Sequence, residues 1–149
     1  MLTIHTADAV RVAWDAEPLA GAAVAVRGDR IAGIGALGAL RERFPGARVR
    51  EWGGVLGPGR VHVGALPDAP TPRERVHLLL RAGVVGVVGE YVESAAVRSA
   101  VERGGLLVLG PSEPGPVLAE GGRADLAVLD EGGGCVATVC AGRLVHRLR

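Results

Sequence analysis

The hydrophobic period of the chain changes near Ala65 and changes back after Ser112. Inside that span Thr71-Pro72-Arg73-Glu74 carries the chemistry of a helix start. Thr71 can cap, Pro72 has no N–H to lose at the first helical position, and Glu74 stands where a capping box closes. Val76, Leu79 and Leu80 then recur on one face, with Arg73, His77 and Arg81 on the other. The pattern predicts a helix to Ala82, ended by Gly83. Val84–Val88 is apolar at every position, so both of its faces should be buried, as in a parallel strand. A second helix over Val92–Arg103 should stop at Gly104-Gly105, and Leu106–Leu109 is the next apolar strand. Strand–helix–strand at this spacing is a βαβ unit with a right-handed crossover.

The flanks follow a different rule. From Met1 to Gly64, Leu2–Thr6 and Val10–Trp14 are short strand candidates. Ala22–Val26 and Arg30–Ile34 flank Arg27-Gly28-Asp29, a hairpin connection. Ala36–Phe44 suits one short helix stopped by Pro45-Gly46, and Arg48–Trp52 alternates as a strand does. Gly53-Gly54 and Gly57-Pro58-Gly59 punctuate the stretch beyond it. From Pro116 to Arg149, Leu126–Leu129 is a strand, and Cys135–Cys140 and Leu144–Arg147 flank a second hairpin signal at Ala141-Gly142-Arg143. A β zone interrupted by an α/β stretch should pair its two halves into one sheet system. The expected fold class is therefore mixed α/β (α+β). Residues 1–64 and 116–149 would form one β-domain, with residues 65–115 as a βαβ insert.

Size and composition narrow the functions. A chain of 149 residues can bury roughly 68–70% of its unfolded surface and needs no staple. It is short of the ~200 residues of a complete (β/α)8 barrel. The 48% hydrophobic and 22% charged composition argues against disorder. A dispersed net charge of +1 and only four Phe, Trp and Tyr residues argue against a nucleic-acid interface. His5, Asp8 and Arg11 interrupt any leader-like start, and no apolar run approaches the ~18 residues of a membrane span. A cytoplasmic protein is expected. Cys135 and Cys140 lie five extended steps apart, about 16 Å, beyond disulfide reach, so both should be reduced thiols. All 17 basic residues are Arg. Without Lys there is no Schiff base, no P-loop lysine and no carboxylated lysine bridging two metals.

Few residues suggest chemistry. Gly33-Ile34-Gly35-Ala36-Leu37-Gly38 has the spacing of a dinucleotide fingerprint. Pro45 follows too soon for a full helix, however, and the preceding strand belongs to a hairpin, so a glycine-rich turn is the better reading. No two histidines have ligand spacing. His77 belongs to a wet helix face, and His5 and His146 sit in terminal strands. His62, just past the Pro58-Gly59 turn, is the most notable of the four. No serine lies in a nucleophile elbow. Loops after parallel strands carry the chemistry in such sheets, which singles out Glu90, Ser112 and Glu113. A carboxylate pair there suits acid–base work, against the plainer reading of two solvated acids. Asp125 and Asp130 bracket an apolar strand as polar caps or, for Asp125, as a weak site candidate.

The flanks also carry a resemblance. Val24–Gly35 (VAVRGDRIAGIG) resembles the N-terminal hairpin of the amidohydrolase superfamily. Glu51–Gly59 (EWGGVLGPG) resembles the segment that leads that family's chain to its barrel. Gly122-Arg123-Ala124-Asp125-Leu126 and Val139–Val145 (VCAGRLV) are similar to its closing strands. The set is most similar to imidazolonepropionase-like proteins and related deaminases. The resemblance implies a composite β-sandwich built from both ends of the chain beside a metal-holding (β/α)8 barrel. It also implies a hydrolase of non-peptide C–N bonds. The family's H-x-H metal motif would fall on Gly64-Ala65-Leu66, and His62 lies two residues early. The resemblance thus carries the fold over and no metal ligand, and no cofactor is expected. The leading expectation is an amidohydrolase-like module that has lost the metal site and binds a partner enzyme or a second copy of itself. The alternative is a hydrolase with a site rebuilt from His62, Glu90, Glu113 and Asp125, holding a divalent metal such as zinc.

Overall fold

The computed structural model describes residues 2–148; Met1 and Arg149, the outer limits of the two flanking zones, lie outside the described residues. Leu2–Thr6 forms β1 as expected. The strand expected over Val10–Trp14 is only Ala9–Val10 (β2). Beyond it, side chains compete for the backbone. Arg11 Nη1 donates to the Ala16 carbonyl at 2.7 Å, and Trp14 Nε1 donates to the Pro58 carbonyl at 2.7 Å. These bonds close a turn before Leu19–Ala20 (β3). Ala22–Arg27 (β4) and Arg30–Ala36 (β5) form the predicted hairpin, turning at Gly28 with φ +60. Leu37–Arg43 (α1) and Arg48–Glu51 (β6) follow.

Gly57-Pro58-Gly59 is more than punctuation. Val55–Pro58 is β7 and Arg60–His62 is β8. Glycine and proline read as breakers in sequence, but here Gly57 is a strand position kept bare for the Trp14 ring. A Cβ there would lie 2.6 Å from that ring.

The helix predicted from Thr71 is Pro72–Arg81 (α2), and Thr71 Oγ1 accepts from the Glu74 N–H at 3.2 Å. Val84–Val88 (β9) is buried at all five positions. The second helix starts later than Val92, at Ala95–Arg103 (α3). Ser94 is its cap, accepting from the Val97 N–H at 3.2 Å, and a 3-10 turn occupies Gly89–Tyr91. Leu107–Leu109 (β10) lies parallel to β9. Leu126–Leu129 (β11), Cys135–Cys140 (β12) and Arg143–Arg147 (β13) complete the chain.

Among the described residues three sheets result. One has the order β5-β4-β1-β6, a second β13-β12-β11-β7-β2-β3, and a third β10-β9-β8. The two ends of the chain meet where β11 pairs antiparallel with β7, from Leu126↔Pro58 to Leu129↔Val55. The fold is thus mixed α+β, with a composite β-sandwich and no closed barrel among the described residues. Val24, Val26 and Ile31 pack on Leu56, Leu126, Val128 and Val139 between the first two sheets. Alternation explains the rest. Ala23 and Ala25 face the other way, onto Ile4 and Leu40 under α1. On β12, Ala137 and Val139 enter the sandwich core, while Cys140 joins the cluster of α2, α3 and β9. Thr138 Oγ1 donates to the Leu80 carbonyl of α2 at 2.6 Å, tying the sandwich to the α/β layer. The third sheet is parallel throughout, and its first strand, β8, continues directly from β7.

Candidate functional site

In a parallel sheet the carboxyl ends of the strands share one rim. His62 ends β8, Glu90 follows β9 and Glu113 follows β10, so three of the four candidates lie along that rim. Each is otherwise engaged or solvated. His62 Nε2 donates to the Ala65 carbonyl at 2.8 Å, which fixes the proton on that nitrogen. Glu113 Oε1 accepts from the Gly110 N–H at 2.9 Å and closes its own loop. Glu90 is exposed in the 3-10 turn. Asp125 lies elsewhere. Its carbonyl accepts from the Gly59 N–H at 2.9 Å, which places it at the start of β8, the end opposite His62. Its side chain is 3% exposed, pairs with Arg123 Nε at 2.9 Å and accepts from the Ala141 N–H at 2.9 Å. Asp125 therefore fastens the β12–β13 turn to the sandwich.

A zinc-type centre needs three converging protein ligands at least. No three His, Cys, Asp or Glu side chains converge among the described residues. The donors present do not fit such a metal: the Nε2 of His62 is spent on a carbonyl, and the nearest carboxylates stand on separate loops. The two thiols are free. Burial, then Asp125, pushes the Cys140 thiol up to about 11, so it is not poised as a nucleophile.

Gly33–Gly38 spans the end of β5 and the first turn of α1. Its strand is antiparallel and its helix has seven residues, so it is not the opening of a dinucleotide-binding βαβ unit. His77 is exposed as expected. His146 Nε2 lies 3.2 Å from the Cys135 carbonyl. His5 is 4% exposed and stacks on Trp52, whose Nε1 donates to its Nδ1 at 3.2 Å. Burial, helped by the charge of Arg50, lowers its pKa to about 4.

Two surface cavities stand out. One of about 940 Å³ lies between α2 and α3, lined among others by Thr71, His77, Leu80 and Arg103. The other, of about 500 Å³, is lined by Arg27, Arg43, Phe44 and Arg48 with Leu2 and the Pro45–Ala47 turn. Neither contains His62, Glu90, Glu113 or Asp125. The arginine-lined cavity had no signal in sequence, because its walls come from three strands and a helix end that only the fold brings together.

Known proteins agree on the architecture. The family model of the imidazolonepropionase-like composite domain of bacteria matches residues 22–47. No curated protein matches the chain in sequence. Among solved structures, an adenosine deaminase from Xanthomonas campestris with bound zinc aligns at 20% identity and a TM-score of 0.54, over 72% of this chain and 33% of that one. Helicobacter pylori aminofutalosine deaminase aligns at 17% identity and 0.52, over 68% and 31%. Ochratoxinase from A. niger aligns at 18% identity and 0.50, over 73% and 30%. The chain spans about a third of the length of these structures. At such identities the likeness is one of fold.

Proposed function

Starting from a chain that carries an amidohydrolase-like composite β-domain, of the kind described for imidazolonepropionase, we propose that it acts as a binding or partner module without a metal site of its own. One observation carries this reading: among the described residues, the side chains available for chemistry do not converge. His62, Glu113 and Asp125 are held in contacts that shape their own loops and turns, and Glu90 faces solvent. The open edges of the parallel sheet support a partner. β8 and β10 each have one hydrogen-bonding edge without a strand, and Val108 on β10 is 37% exposed. Unpaired edges of this kind favour addition of another chain, here a partner enzyme or a second copy.

The competing reading is a hydrolase of non-peptide C–N bonds with a rebuilt site. It draws support from the placement of His62, Glu90 and Glu113 on one rim. Metal analysis of protein purified without chelators separates the two. The module reading expects zinc, iron and manganese far below one equivalent, and no ammonia released from cyclic amidine substrates. A full equivalent of metal that is lost in His62→Ala would overturn it. A strictly monomeric chain in light scattering at high micromolar concentration would remove the second-copy form and leave only the foreign partner.

A further inference from the structure

We propose that the cavity between β4, α1 and β6 is a binding site for a dianionic phosphoryl group, with Arg27, Arg43 and Arg48 as its ligands. This goes beyond the function proposed above and holds whether or not the chain is catalytic. The cavity measures about 500 Å³, and no carboxylate among the described residues lines it. Its three guanidiniums come from three separate elements: Arg27 ends β4, Arg43 ends α1 and Arg48 begins β6. Two of them contact the Phe44 ring, whose centroid is 5.5 Å from the Arg27 guanidinium carbon and 4.8 Å from that of Arg43.

Crowding like charges around one ring is unfavourable, and an exposed cation–π contact returns little against it. Arg27 and Arg48 have no ion pair among the described residues. Arg43 has a single exposed one, to Glu120 at 3.4 Å, the kind that contributes little. The excess positive charge continues along β6. Arg50 is held below the usual arginine value by burial and then by the charges of Arg48 and Arg147. An anion in the cavity would relieve this repulsion.

The geometry favours phosphoryl over carboxylate. Guanidinium forks match the oxygens of both groups. Three forks from three walls suit the three terminal oxygens of a tetrahedral phosphoryl group, where a planar carboxylate offers only two. Gly33, in β5, lies beneath the arginine and the ring. A Cβ at Gly33 would lie 3.2 Å from Arg43 Nη1 and 3.4 Å from Phe44 Cε2. The bare strand lets the arginine and the ring lie down on β5.

Calorimetric titration of the full chain tests the site, with inorganic pyrophosphate and glucose 6-phosphate as probes and succinate as the carboxylate comparison. Saturable one-site binding is expected for at least one phosphoryl probe. Tighter binding of the monoester would assign the ligand to phosphorylated metabolites, and of pyrophosphate to free polyphosphates. Arg27→Gln and Arg48→Gln should each weaken that binding by about tenfold or more, the worth of one charge-assisted hydrogen bond. Both variants should melt at the wild-type temperature, since both side chains are exposed. Arg73→Gln and Arg103→Gln, at the other cavity, should leave binding unchanged. No saturable binding at millimolar probe would overturn the proposal. So would equal losses in both pairs of variants, or succinate binding as tightly as the phosphoryl probes.

Discussion

His5 enters the fold as a neutral acceptor. Trp52 donates to its Nδ1, so a proton on that nitrogen must break the bond. The unfolded chain takes up this proton near pH 6.5 and the folded chain only near 4. Between those values the unfolded state binds more protons. The contribution is therefore complete above pH 6.5 and is lost as the pH falls toward 4. It amounts to on the order of 3 kcal/mol. Urea midpoints should drop across that window, and His5→Gln, which keeps an acceptor but cannot titrate, should flatten the dependence. An equally steep profile in the variant would assign the acid sensitivity to other groups. Asp125 is the second residue whose role packing decided. Its buried carboxylate holds Arg123 and the Ala141 N–H. Asp125→Ala should cost roughly 3 kcal/mol, as removal of one partner of a buried pair does. A urea midpoint close to wild type would show instead that the pair is dispensable to the fold.

Elements differ in how openly their sequences declare them. α2 is readable because cap, proline and apolar stripe all lie within a dozen residues and act locally. Thr71→Ala should cost about 1 kcal/mol for the lost cap, measurable by thermal or urea unfolding. β7 and β8 are not readable, because their glycines answer to distant side chains. Gly59, between them, lies under β9, and a Cβ there would be 2.4 Å from a Val85 methyl. Gly59→Ala should cost about 1–3 kcal/mol by overpacking, more than loss of the cap. A neutral result would mean that β9 shifts freely against the sandwich. The tail of the expected Val10–Trp14 strand fails for a related reason. Its apolar residues fit a strand, but Arg11 and Trp14 hydrogen-bond to carbonyls of Ala16 and Pro58 and turn the chain.

For the whole molecule, the sandwich and the α/β layer share a face. Thr138 bonds to Leu80, and Cys140 belongs to the α2–α3 core although it sits on a sandwich strand. The two layers should therefore unfold together. Cys140, 2% exposed and with its thiol pushed up to about 11, should react with a disulfide reagent only as fast as the molecule opens globally. Half-buried Cys135 should react sooner. Fast labelling of Cys140 under native conditions would show that the α/β layer detaches on its own. No helix among the described residues is long and apolar enough to cross a membrane.

By itself the sequence determined the α+β class, the β4–β5 and β12–β13 hairpins, α2 and the fully buried β9. Each is written in local period, turn residues and caps, whose energies act over a few residues. It also placed Glu90 and Glu113 after parallel strands, since connectivity alone sets that rim; that His62 ends a third parallel strand was not readable. Only the tertiary structure decided what those residues touch. Whether His62 meets a metal or the Ala65 carbonyl, and whether Asp125 faces a substrate or Arg123, depends on contacts between segments far apart in the chain. The same holds for Arg27, Arg43 and Arg48, which line one cavity with Phe44. Their convergence follows from strand pairing and helix packing, and hydrophobic periodicity does not record where exposed charged side chains meet.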